Sequence, residues 1–188
     1  MNISRRQSFW IILGVGYGTT TANFLLSRNR TSEPKFNIRE IAVIEEVNKE
    51  LGNKSTQEVV EMLEKICKRR NYPKMVEKEG FEEKFYNSLT ALKTVFAGDM
   101  LNLTKEQSDI AIDSAHLITQ MAYELPPRST RLTDGNAKEW KDSAITRVLI
   151  GEIGSYIKRC KHNGESLYEY SSSLDAVASK FITYGLER

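Results

Sequence analysis

The sequence predicts an all-α fold, roughly a six-helix bundle preceded by an N-terminal apolar segment, and two observations carry that prediction. Apolar residues recur at the three- and four-residue spacing of a helix face in one stretch after another. In four places Ser, Thr or Asn stands three residues ahead of Glu or Gln, the reciprocal arrangement that caps a helix start. The pairs are Ser55 with Glu58, Thr104 with Gln107, Asn136 with Glu139 and Ser166 with Glu169. No strand-like alternation bounded by turns, internal repeat or low-complexity tract breaks the pattern.

The first 30 residues differ from the rest. Arg5 and Arg6 precede an uncharged stretch from Ser8 to Ser27, and Arg28 and Arg30 follow it. That layout belongs to a segment that meets a membrane during export or anchoring. Ser4-Arg5-Arg6-Gln7-Ser8-Phe9 resembles the twin-arginine export signal, with Ser8 where such signals carry an apolar residue. The glycines and threonines that follow (Gly14, Gly16, Gly18, Thr19, Thr20, Thr21) are similar to the mildly apolar region of these signals. The resemblance implies that Arg5 and Arg6 direct export, and Thr20-Thr21-Ala22 is the nearest small-x-small triplet for cleavage.

Two other readings of this stretch stay open. Residues 9–26 are long enough for an uncleaved membrane span, which needs roughly 17–25 residues. Asn23 and the threonines dilute its apolar character, and arginines at both ends give it no clear orientation. The third reading is an apolar element packed in the core. The chain therefore divides into a signal-like or anchor segment at 1–30, a linker at 31–36 containing Pro34, and a helical domain at 37–188.

Each helix of that domain has readable ends. The first spans Ile38 to Leu51 and stops at Gly52-Asn53. The second follows the Ser55 cap, buries Val59, Leu63, Ile66 and Cys67, and ends near Arg70 before Tyr72-Pro73. The third carries the stripe Phe81, Phe85, Leu89, Leu92 and Phe96 and halts at Gly98-Asp99. The fourth runs from the Thr104 cap to Pro126-Pro127. After a long irregular segment, Pro126 to Gly135, the fifth starts at the Asn136 cap and continues to about Lys161, with Asn163-Gly164 as its stop. The sixth follows Ser166, with Leu167, Tyr170, Leu174, Val177, Ala178 and Phe181 as its buried stripe.

The fifth helix has two packing faces. Ile145, Leu149, Ile153, Tyr156 and Cys160 form one, and the small residues Ala144, Val148, Gly151 and Ser155 form the other, with Gly154 beside it. A helix apolar or small on two sides belongs in the middle of a bundle, and the small ridge lets a neighbour approach closely.

Charge excludes one function class. The whole chain carries +2, but four of its 27 basic residues lie in positions 1–30 with no acidic counterpart. Residues 31–188 thus hold 23 Lys and Arg against 25 Asp and Glu, which is not the concentrated positive charge of a nucleic-acid binder. Lys68-Arg69-Arg70 and Lys158-Arg159 with Lys161 fall at helix C-termini, where they complement the helix dipole. Cys67 and Cys160 are either two buried thiols or, in an exported protein, a long-range disulfide.

Candidate site residues are few. Asp109, Asp113, His116 and Gln120 line one face of the fourth helix, and Asp113-x-x-His116 resembles half of a di-iron ligand set. No second carboxylate-x-x-His pair accompanies it, so a solvated polar stripe is expected and no metal or cofactor is assigned. Glu152, set between the two packing faces of the fifth helix, needs a partner or a raised pKa. With Tyr156 and His116 it outlines a pocket for a small helical enzyme or ligand-binding protein. The long loop offers Arg128, Arg131 and Asp134 as contacts for a protein partner. The favoured expectation is an exported or membrane-tethered accessory or assembly factor, membrane-associated through residues 9–26 or released into a periplasm-like lumen. It acts by binding protein, with no catalytic residue and no nucleic-acid partner.

Overall fold

Ser55 and Thr104 each close a helix start as their spacing predicts. Their hydroxyls accept the backbone N–H of Glu58 and Gln107, and those side chains return to the cap N–H. The computed structural model describes residues 38–125 and 132–176, apart from the side chains of Ile44, Val47 and Asn48. Arg5, Arg6, the 9–26 run, Arg128, Arg131, Val177, Ala178 and Phe181 lie outside the described residues. Within them the fold is all-α, with α1 at Ile38–Leu51, α2 at Thr56–Arg70, α3 at Phe81–Ala97, α4 at Lys105–Glu124 and α5 at Ala137–Arg159. A 3-10 turn, Tyr72–Met75, joins α2 to α3, and a final helix, α6, is described over 168–176.

The apolar stripes become the core. Val59, Leu63, Ile66 and Cys67 of α2 are buried, as are Phe81, Phe85, Leu89, Leu92 and Phe96 of α3. Helix α4 packs on α3, α2 packs on both α3 and α5, and α5 also meets α4 and α1. Phe81 stacks on Phe85 at 6.0 Å, and Phe96 meets the Tyr156 ring edge-on at 5.5 Å, joining α3 to α5. Asn71 adopts a left-handed conformation (φ 55°) that lets its N–H reach the Cys67 and Lys68 carbonyls and end α2.

Three expectations for the C-terminal half are corrected. Asn136 forms no capping box, because its side-chain oxygen accepts the Thr133 N–H (2.8 Å) and so stabilises the turn before α5. Helix α5 stops at Arg159, and a small antiparallel hairpin follows, Lys161–His162 paired with Glu165–Ser166. Asn163 and Gly164, read as a helix stop, are its two-residue turn. Both have positive φ (51° and 81°), the requirement of a tight hairpin, and Asn-Gly meets it at low cost. Ser166 sits in the second strand and donates to the Lys158 carbonyl (2.8 Å), so it does not cap α6.

The hairpin acts as a clasp. Lys161 donates to the Met100 carbonyl (2.9 Å), and Leu103 donates to the Lys161 carbonyl (2.8 Å). The His162 Nδ1 lies 2.9 Å from the Leu103 carbonyl, so the α5–α6 connection is stitched to the α3–α4 connection. His162 is therefore half-buried and structural rather than a simple surface residue.

The central position expected for α5 is observed, and Gly154 makes a close approach to a neighbouring helix. A Cβ at Gly154 would lie 2.9 Å from the Leu174 Cβ and 3.2 Å from Asp175 Oδ1 of α6. Leu174 is fully buried in that contact. Thr119 and Ser173 hydroxyls (3.1 Å), and the Lys158 ammonium 4.2 Å above the Tyr168 ring, also hold α6. Tyr170, expected in the buried stripe, is exposed because its ring turns towards His116 on α4.

Candidate functional site

Helix α5 buries charge on three sides. Asp142, Arg147 and Glu152 are all buried, and Arg147, 1% exposed, heads the largest fully buried side chains. At roughly 100° per residue, Arg147 lies well around the helix from Asp142, and Glu152 lies around it in the other direction. Moving a charge out of water costs several kcal/mol, roughly, unless paired and hydrogen-bonded.

The Asp142 pairing is explicit. Its Oδ1 accepts Arg69 Nη2, its Oδ2 accepts Arg70 Nε (2.7 Å), and its carbonyl accepts the Thr146 hydroxyl (2.7 Å). One buried carboxylate thus fastens the C-terminal turn of α2 to the first turns of α5. Arg69 and Arg70, read from sequence only as dipole complements, are bonded across the helix pair. Another buried carboxylate, Glu40 at 1% exposure, sits in the first turn of α1 and accepts the Leu132 N–H (3.0 Å).

The end of the long loop and the start of α5 are fastened to α1. Asp134, expected to face a partner, pairs with Arg39 at 2.9 Å in an exposed bridge, and Lys141 pairs with Glu46 at 2.8 Å. Exposed bridges of this kind contribute little, about 0–1 kcal/mol, so Asp134 stays exchangeable.

Glu152, Tyr156 and His116 are placed differently. Glu152 and Tyr156 are buried one turn apart on α5, with the Arg159 guanidinium 5.0 Å from the Tyr156 ring. His116 stands on the exposed face of α4 with Asp109 and Asp113, its ring 6.0 Å from that of Tyr170. Among the described residues no group of three or more His, Cys, Asp or Glu could hold a metal ion. An open cleft of about 560 Å³ lies elsewhere, at the 3-10 turn and the start of α3. Pro73, Val76, Phe81 and Glu82 line it, and none of Glu152, Tyr156 or His116 does.

The thiols are unreactive by environment. Both are free: Cys67 Sγ lies 3.5 Å from Met121 Sδ, and Cys160 Sγ is 3.4 Å from the Tyr156 carbonyl. Burial pushes the Cys67 thiol up to about 12 and the Cys160 thiol up to about 11, which leaves little thiolate at neutral pH. Burial also works to raise Glu64, but bonds from Lys68 (2.6 Å) and Lys93 (3.2 Å) outweigh it and hold that carboxyl below its ordinary value.

Asp175 is shifted the other way. Burial against α5 raises its carboxyl, and Lys158, 3.9 Å away, offsets this only in part. A raised folded-state pKa means the folded protein holds that proton more tightly than the unfolded chain. Its stabilising contribution is present at acid pH and is lost as pH rises through the folded value. Asp175→Asn should therefore melt at or above the parent temperature at pH 7, with the advantage shrinking towards pH 4. Thermal melts at the two pH values check this, and a variant less stable at pH 7 than at pH 4, relative to the parent, contradicts it.

The sequence signal for Asp142 and Arg147 was weak. Both sit in a helix with low amphipathic contrast, and a charge on a helix reads as solvated until its neighbours are known. The class defined here is an all-α protein whose central helix carries buried, paired charge. No helix among the described residues is long and apolar enough to cross a membrane. Compared with protein-family models, curated proteins and solved structures, the chain matches none.

Proposed function

We propose that this chain is an exported or membrane-tethered helical protein that acts by binding another protein, as an accessory or assembly factor. The observation that carries the reading is the uncharged stretch from Ser8 to Ser27 between Arg5-Arg6 and Arg28-Arg30. Exposed Leu101, Tyr123 and Tyr168 support it further, because tyrosine is enriched where partners bind. Arg128 and Arg131 of the long loop are the proposed partner contacts, beside the exchangeable Asp134 bridge.

Changing Arg5 and Arg6 to lysine should block export and leave the helical unit folded; normal export would rule out the twin-arginine route. Intact-mass analysis after purification from native membranes distinguishes cleavage from retention and recovers the partner. Changing Arg128 and Arg131 to alanine should reduce recovery of that partner at least tenfold, about 1.4 kcal/mol, with the melting curve unchanged. Equal recovery would reduce the loop to a connector.

The second reading, a small helical enzyme or ligand-binding protein, draws on Glu152 and Tyr156, buried one turn apart on α5. Loss of a measurable ligand or activity in Glu152→Gln would favour it over protein binding.

A further inference from the structure

Asn163-Gly164 is the one Asn-Gly pair in the sequence, and the fold sets it at the tip of the hairpin. Both residues are exposed, both have positive φ (51° and 81°), and a Cβ added at Gly164 would meet nothing within 4 Å. His162 Nδ1 lies 2.9 Å from the Leu103 carbonyl, which can only accept, so the neutral ring carries its proton there. Its Nε2 then accepts from the Asn163 amide nitrogen at 3.1 Å. That bond is exposed and exchanges readily for one to water, so it does not lock the amide in place.

We propose that Asn163 is a site of spontaneous covalent modification whose product releases the clasp. The main-chain nitrogen of Gly164 attacks Cγ of the Asn163 side chain, and the new C–N bond closes a cyclic imide. The Cγ–Nδ2 bond breaks, and Nδ2 leaves as ammonia with the proton that Gly164 gives up, passed through solvent. Water then opens the imide at either carbonyl, leaving aspartate or isoaspartate. Closure needs only rotations within these two residues, and glycine on the attacking side puts no side chain in the way. Every other asparagine of the chain is followed by a residue that has one. In isoaspartate the main chain runs through Cγ, which adds a methylene to a two-residue turn. The length of that turn fixes the pairing of Lys161 with Ser166 and of His162 with Glu165. A longer turn breaks this register, and the new carboxylate lies two residues from exposed Glu165. The bonds of Lys161 to Met100 and Leu103 are lost with it, so the α5–α6 connection parts from the α3–α4 connection.

Incubation of the full chain at physiological temperature and mildly alkaline pH, followed by peptide mapping that separates isoaspartate from aspartate, tests the proposal. Position 163 should convert roughly tenfold faster than any other asparagine, because its neighbour alone lacks a side chain. Asn163→Gln, whose longer side chain closes a larger ring far less readily, should keep its amide. Mapping also separates this product from isoaspartate formed at Asp134-Gly135, which arises without a change in mass. In the converted protein, amide exchange at Leu103 and Lys161 should accelerate while that of α2 matches the parent. An intact Asn163 in the folded chain, over a period in which the urea-unfolded chain converts, would overturn the proposal by showing that the turn protects the pair. Unchanged exchange at Leu103 and Lys161 in protein carrying isoaspartate at 163 would overturn the release of the clasp.

Discussion

Gly154→Leu should lower stability by about 3 kcal/mol and the melting temperature by roughly 10 °C. Even the first added carbon has no room, since a Cβ at this position would lie 2.9 Å from the Leu174 Cβ, closer than real side chains approach. Alanine in place of glycine gains about 1 kcal/mol of helix propensity, yet here that gain is set against a displacement of α6. The damage should be local first. Amide exchange in residues 168–176, where Leu174 and Asp175 meet the added side chain, should accelerate more than in α3. Unchanged exchange and a melting temperature within two degrees of the parent would show that α6 does not rest on Gly154.

Asp142→Ala should cost about 2–4 kcal/mol, at the lower part of the range for breaking a buried ion pair because Arg69 and Arg70 are partly exposed. The loss comes less from the missing attraction than from two guanidinium groups left beside a helix junction without their acceptor. The carboxylate also gives the α2–α5 contact a directional bond where the surrounding leucines and isoleucines supply only area. Asp142→Asn is the informative control, since it retains the shape and one acceptor oxygen and should recover part of the loss. Denaturant titration of the three proteins gives the order parent, Asn, Ala. Equal stability of the alanine variant and the parent would mean that the clamp contributes nothing.

Both experiments concern helices whose existence was plain from residue order. The stripe from Phe81 to Phe96, the apolar face of α2, and the Ser55 and Thr104 caps each depend on neighbours three or four residues away. Local geometry settles such features, so a sequence reading reaches them. Where it missed, another group had taken the side chain expected to cap a helix, or supplied bonds the sequence does not place nearby. The Asn136 side chain turned back to Thr133, and Ser166 was drawn to the Lys158 carbonyl. Asn163-Gly164 served as a hairpin turn because Met100 and Leu103 supply bonding partners some 60 residues earlier in the chain.

The candidate site divides along the same line. Glu152 stands between the two packing faces of α5, which is a local signal. Asp142 and Glu40 gave no such signal, and only the approach of α2 to α5, and of residue 132 to α1, gives these buried groups their partners. The sequence by itself determined the all-α class, the order of the helices and which apolar face α2, α3 and α5 bury, because those depend on periodicity and end chemistry within a few residues. Only the tertiary structure decided that α6 rests against Gly154, which carboxylates leave water and which arginines bind them. Burial and pairing are properties of two segments brought together, and neither segment carries them alone.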